Sequence, residues 1–222
     1  MSFDLLAPHY RWIEALFARE RLQRCRVALL DVIPEPANVL IYGEGNGRFL
    51  VELLWRFPSA QVTVVESSTV MVRLARERMT REGFVETRVS FVETDALKWQ
   101  PPTEAFDLIV TCFFLDCFTE DQLQRLIPTI AGAATPDANW LVADFQIAAS
   151  GWRRLRSRMI VGLLYVFFRF TTALPGHTLI NPAPLLRVVG CVCAEHVEHD
   201  HGMLYSSLWR LRENASHALR IT

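Results

Sequence analysis

Val39-Leu40-Ile41-Tyr42-Gly43-Glu44-Gly45-Asn46-Gly47-Arg48-Phe49-Leu50 is the stretch on which the reading of this chain turns. Four consecutive apolar or aromatic residues read as a buried strand. Three glycines at alternate positions follow, and helical apolar spacing then begins. A glycine-rich turn between strand and helix lets the backbone approach a ligand closely. It also aims the first, unpaired N–H groups of the helix at that ligand. A nucleotide-like cofactor suits such a turn, and the rest of the chain decides which one.

The alternation of strand and helix continues from there. Gln61–Glu66 is a β-branched strand ending on an acid, and Thr69–Arg81 a helix stopped by Gly83. Arg88–Glu93 is a third strand ending at Thr94-Asp95-Ala96. Phe106–Thr111 is a fourth strand, Glu120–Ala134 a helix containing Pro128, and Trp140–Phe145 a fifth strand ending near Asp144. Before the glycine turn, residues 10–30 have helical spacing, broken by Pro34 and Pro36. This order implies a parallel sheet with helices on both faces. Residues 152–173 then form a long helical segment, Pro182–Val189 a short helix, and Cys191–Glu198 and Met203–Leu211 a closing β-hairpin.

Bulk properties narrow the function. At 222 residues with 51% hydrophobic and 21% charged residues, the chain can bury a substantial core. A formal net charge of −1 offers no electrostatic footprint for DNA or RNA. Five cysteines without a Cys-x-x-Cys read as reduced, packed thiols in a cytoplasmic protein, with Cys191 and Cys193 sharing one strand face. The N-terminus has no signal-peptide pattern, and the longest apolar run, Met159–Phe168, is too short to span a bilayer.

Taken alone, Gly-x-Gly-x-Gly also fits a purely structural turn. The dinucleotide fingerprint would place its third glycine one residue later, and no Lys-Ser/Thr follows to make a phosphate-binding P-loop. Glu66, at the end of the second strand, is placed to accept both hydroxyls of a ribose. Asp95, at the end of the third, is placed to accept from an adenine amino group. Each acid alone fits a helix cap or a solvated strand end. With the glycine turn, they mark one sheet edge for an adenosine-containing ligand.

These residues carry a family resemblance. Val39-Leu40-x-x-Gly43-x-Gly45-x-Gly47 resembles motif I of the class I S-adenosylmethionine-dependent methyltransferases. Val65-Glu66-Ser67-Ser68-x-x-Met71-x-x-x-Ala75-Arg76 resembles their second-strand signature, Thr94-Asp95-Ala96 their adenine-reading pair, and Phe106-Asp107-Leu108-Ile109-Val110 their fourth strand. The opening Phe3-Asp4-x-x-Ala7-Pro8-x-Tyr10 resembles the ubiquinone/menaquinone-biosynthesis type, although Arg11 stands where those enzymes have Asp. The resemblance implies an α/β fold, a Rossmann-like doubly wound seven-stranded sheet, mostly parallel with an antiparallel C-terminal hairpin. It implies one domain over 1–222: a helical cap over 1–36, a cofactor core over 37–146, an acceptor insertion over 147–190 and the hairpin over 191–222. It further implies S-adenosylmethionine held by Tyr10, Gly43, Glu44, Gly45, Asn46, Gly47, Glu66, Ser67, Asp95, Ala96, Thr111, Cys112 and Phe113. One departure stands out: Ile41 occupies the position where the family has an acid for the cofactor's methionine end, and Glu44 is the nearest substitute.

The resemblance implies methyl transfer, without metal, to a small hydrophobic or aromatic acceptor. The alternatives are a cofactor-binding or partner-binding module without activity and, less well matched, a dinucleotide oxidoreductase. No Asn/Asp-Pro-Pro-Tyr/Phe motif follows the fourth strand, which argues against nucleic acid as acceptor. Asp116 and His9 are candidate bases, each weighed against a loop or surface role. The cluster Glu195, His196, Glu198, His199, Asp200, His201 alternates between strand faces and reads as a solvated hairpin tip, not a metal site. The segment 152–171, with Arg153, Arg154, Arg156 and Arg158 ahead of an apolar stripe, reads as a lid over the acceptor site. It also has the makeup of a peripheral membrane contact.

Overall fold

The computed structural model describes residues 19–172 and 179–212, without the side chains of residues 19 and 164–172. Tyr10, His9 and the rest of the opening motif lie outside the described residues. The elements run α1 (Arg19–Val27), β1 (Asn38–Tyr42), α2 (Arg48–Arg56), β2 (Gln61–Glu66), α3 (Thr69–Arg81), β3 (Val89–Glu93) and β4 (Phe106–Cys112). There follow α4 (Glu120–Ala133), β5 (Ala134–Phe145), α5 (Gly151–Thr172), α6 (Ala183–Val188), β6 (Cys191–His199) and β7 (Leu204–Leu211).

The seven strands form one sheet in the order β3-β2-β1-β4-β5-β7-β6. β1 to β5 are parallel, and β7 runs antiparallel to both β5 and β6. This is the doubly wound α/β architecture with an antiparallel hairpin. β1 is an interior strand between β2 and β4, and both faces of Val39–Tyr42 are covered, which is why its sequence is continuously apolar. Alternate residues feed two cores. Ile41, Val64, Val110 and Ala143 face α1 and α2, whereas Tyr42, Val65, Ile109 and Val142 face α4 and α6. The Asp107 carboxylate accepts from the N–H groups of Ala37 and Asn38 at 2.8 and 2.9 Å, pinning the start of β1 to β4.

Helix starts are built locally. Ser68 caps α3 by accepting from the Met71 N–H, and Thr119 and Gln122 close a capping box on α4. Pro128 lies inside α4. The strand order reverses at β1, whose two neighbours β2 and β4 leave a crevice at their C-terminal ends, where ligands bind in open α/β sheets.

Three expectations are corrected. β5 begins at Ala134, because Ala134 pairs with Phe106 before a register shift carries the ladder to Leu108 and Asn139. Cys193 is exposed while Cys191 is buried, because β6 is the edge strand and its ladder slips between Cys193 and Glu195. The hairpin tip is not simply solvated. The Asp200 carboxylate is sheltered, accepting from Arg21 of α1 at 2.9 Å and from Arg156 of α5 at 3.1 Å. Among the described residues no three His, Cys, Asp or Glu side chains are placed to hold a metal.

Candidate cofactor and acceptor site

The site grows from the turn after β1. Gly43, Gly45 and Gly47 all have positive φ, which a side chain would strain. Two of them are also crowded. A Cβ on Gly43 would stand 2.6 Å from the Phe114 ring, and one on Gly47 would stand 2.7 Å from the Ala75 Cα of α3. The first contact brings the exit of β4 over the turn. The second lets α2 and α3 close against each other.

Glu66 organises the turn from β2. One carboxylate oxygen accepts from the Gly45 N–H and the other from the Ser68 N–H, both at 3.0 Å, and the residue is 8% exposed. Each carboxylate oxygen can accept more than one hydrogen bond. Asp95 follows β3, half-buried, with one oxygen accepting from the Leu97 N–H at 3.0 Å. Ala96 beside it is buried, and Ser67 is exposed. Asn46 is buried in the turn, and its carbonyl accepts from Arg78 of α3 at 2.9 Å. Two fixed acids thus stand at adjacent strand ends beside a glycine-lined turn, acceptors of the kind that hydroxyl or amino donors require.

Glu44 is turned inward. Its carboxylate accepts from the Leu50 N–H at 2.9 Å, capping α2 from within the turn. Burial pushes its pKa up to about 7, against the opposing pull of the Leu50 N–H and of the Arg26 charge. Arg26, from α1, lies with its guanidinium 5.2 Å from the Phe113 ring centroid. It thus brings a positive charge to the turn that no motif in the sequence announced.

The exit of β4 divides. Thr111 is fully buried and its hydroxyl accepts from the Trp140 indole N–H at 3.0 Å, so it packs beneath the site. Cys112 is buried on the opposite face, where burial raises its thiol pKa strongly. Phe113, half-buried with φ of 53°, meets Phe145, and Phe114 packs on Tyr42 and Phe118.

Beyond these aromatic rings sits an acid pair. The Asp116 N–H donates to Asp144 Oδ2 at 3.2 Å, and the Phe145 N–H donates to Asp144 Oδ1 at 2.8 Å. Burial, reinforced by the Asp116 charge, pushes Asp144 well above the usual carboxylate range, and burial raises Asp116. Tyr205 stands directly across the β5–β7 ladder from Asp144. Its buried hydroxyl has no hydrogen-bond partner among the described residues, and the charges of both acids reinforce the rise that burial gives its pKa. Asp116 was legible as a site candidate. Asp144 and Tyr205 were not, since only the sheet brings them together.

This fold, with its glycine turn, the acid at the end of β2 and the antiparallel closing strands, is the class I methyltransferase fold. Residues 39–137 match the family described as "Methyltransferase domain". It is 31% identical over 123 residues to a trans-aconitate 2-methyltransferase of Rhodopseudomonas palustris, covering 55% of this chain and 44% of that protein. A demethylmenaquinone methyltransferase of Porphyromonas gingivalis is 27% identical over 124 residues, covering 54% and 50%. The chain therefore spans about half the length of these curated relatives. Among solved structures, the mitomycin 7-O-methyltransferase MmcR superposes with a TM-score of 0.69 at 21% identity, covering 95% of this chain and 61% of that one. A Burkholderia thailandensis 1,6-didemethyltoxoflavin-N1-methyltransferase, solved with S-adenosylhomocysteine, gives 0.66 at 16% identity, covering 95% and 86%.

Proposed function

We propose that this protein transfers the methyl group of S-adenosylmethionine to a small, apolar or aromatic acceptor. The observation that carries the reading is Glu66, fixed by the Gly45 and Ser68 N–H groups beside the glycine turn. On this reading the Glu66 carboxylate accepts the ribose hydroxyls, and Asp95 on the next strand end complements an adenine amino group. Arg26 places a cation over the turn where Ile41 leaves no acid, which suits the carboxylate of a methionine moiety.

When bound, S-adenosylmethionine supplies a methyl group on a sulfonium, which an acceptor takes by in-line displacement. The chain then has three tasks. The turn and Glu66 fix the donor's position, which supplies much of the rate through alignment. Phe113, Phe118 and Phe145 give the exits of β4 and β5 an apolar wall for the acceptor. Asp116, its pKa raised to about 6 by burial beside Asp144, is the member of the pair placed to take the proton released by an O–H or N–H acceptor. That pair favours an enzyme over a binding module, which would gain nothing from a buried base. The relatives are named for trans-aconitate and demethylmenaquinone, and the structural neighbours for O- and N-methylation, so the attacking atom follows from the acceptor pocket.

Isothermal titration with S-adenosylmethionine and S-adenosylhomocysteine tests the reading, with binding of both expected. Absence of binding by both sinks it, and binding of NADH in their place would favour an oxidoreductase.

A further inference from the structure

We propose that α5 seats this protein on an anionic membrane surface. Eleven large apolar side chains are exposed among the described residues, and Trp152, Leu155, Met159 and Leu163 of α5 are four of them, each 60–67% exposed. At roughly 100° per residue these four fall within an arc of about 80°, one continuous stripe along three turns. The other exposed apolar side chains lie outside α5, where only Val192 and Val197 share an element, and form no such row.

The stripe is not a frayed end. The opposite side of α5 is anchored: Ser157 and Val161 are buried, and the Ser157 hydroxyl accepts from the Ala148 N–H at 3.1 Å. Arg156 donates to both carboxylate oxygens of Asp200, at 3.2 and 3.1 Å. The helix is thus locked to the hairpin with its apolar row facing outward.

Charge identifies what covers the row. The sequence of α5 contains no Asp or Glu, and Arg153, Arg154 and Arg158 remain exposed, in a chain of net charge −1. At roughly 100° per residue Arg158 lies about 100° from the centre of the stripe on one side and Arg153 about 120° on the other, 6.0 Å from the Trp152 ring centroid, while Arg154 falls beside the anchored face. A second copy docking through the same face would set these arginines against their own counterparts. Anionic headgroups complement them at every position, while the apolar row and the Trp152 ring enter the interfacial layer and the arginine stems snorkel. No described helix is long and apolar enough to cross a membrane, so the contact is peripheral. The surface is independent of the methyltransferase reading.

Vesicle flotation of the 222-residue chain tests this. Partition onto phosphatidylcholine vesicles containing phosphatidylglycerol should exceed that onto pure phosphatidylcholine by about 25-fold, about fivefold for each of the two flanking arginines near an anionic surface. High salt should remove most of the difference. The double variant Leu155→Ser, Met159→Ser should lose at least roughly tenfold in partition while its unfolding temperature stays unchanged, since both side chains are exposed. Arg153→Glu with Arg158→Glu should abolish the preference for phosphatidylglycerol. Failure to float with phosphatidylglycerol vesicles overturns the proposal, as does binding indifferent to both double variants. A wild-type dimer in sedimentation that Leu155→Ser, Met159→Ser converts to monomer also overturns it, assigning the stripe to a protein contact.

Discussion

Glu66→Ala removes one side chain that does two things. Its carboxylate holds the Gly45 and Ser68 N–H groups, both at 3.0 Å, and on the proposed reading it also accepts the two ribose hydroxyls. Hydrogen bonds to a charged group contribute about 1.5–3 kcal/mol each, so two ligand contacts amount to about 3–6 kcal/mol. That corresponds to a roughly 10²–10⁴-fold rise in Kd for S-adenosylhomocysteine. Glu66→Gln should fare little better. Its amide keeps one acceptor oxygen, but its NH₂ faces either the Gly45 or the Ser68 N–H, donor against donor. Calorimetric titration of each variant gives the Kd directly, with urea unfolding of the ligand-free proteins as the control for folding. A Kd within tenfold of wild type in a fully folded Glu66→Ala would refute the ribose assignment.

Gly47→Ala should destabilise the fold by about 2–4 kcal/mol, combining left-handed backbone strain with a Cβ forced against the Ala75 Cα, and lower Tm by roughly 5–15 °C. Adding Ala75→Gly should not rescue it, because the nearest clashing atom is Cα; recovery in calorimetry would contradict the contact. Glu44 has a folded-state pKa of about 7 against an ordinary 4.5, so between those values the folded protein holds a proton that the unfolded chain releases. Stability contributed this way is full below about pH 4.5 and lost as pH rises through 7. In ligand-free urea unfolding, Glu44→Gln should therefore gain on wild type as pH is raised across that window, and a constant gap would show that Glu44 is not buried as a neutral acid. Cys193 is the one exposed thiol among the described residues, and a thiol reagent under native conditions should modify it first, a result that mass spectrometry reads directly.

Most element boundaries could be read because each depends on neighbours in sequence. The apolar run at Val39–Tyr42, the Gly83 stop and the Thr119–Gln122 box are local signals with local causes. The early start of β5 escaped because Pro136 and Asp137 mark a turn, and Asp137 indeed has φ of 65°, yet pairing with β4 carries the strand through that irregularity. The same division runs through the site. Gly43, Gly45, Gly47 and Glu66 form one local constellation and were legible together. Arg26 over Phe113, Phe114 under Gly43, and Tyr205 across from Asp144 join residues that only the folded sheet makes neighbours. Thr111 shows the converse: its position at the end of β4 suggested a role in the site, but a hydrogen bond from Trp140 commits its hydroxyl to the core. Glu44 shows how a correct location can hide a different orientation, since its carboxylate points back into α2.

The place of β7 in the sheet bears on how the protein is made. β6 pairs with β7 and with no other strand, and β7 in turn fills the space beside β5. During synthesis, then, five strands can assemble once Phe145 has emerged, but the outer edge of β5 has no partner until residues 204–211 follow. At roughly 5–20 residues per second that edge stays bare for several seconds, long enough for another nascent chain to add to it. Ribosome-bound chains halted between β5 and β7 are consequently the state in which this protein most needs a chaperone.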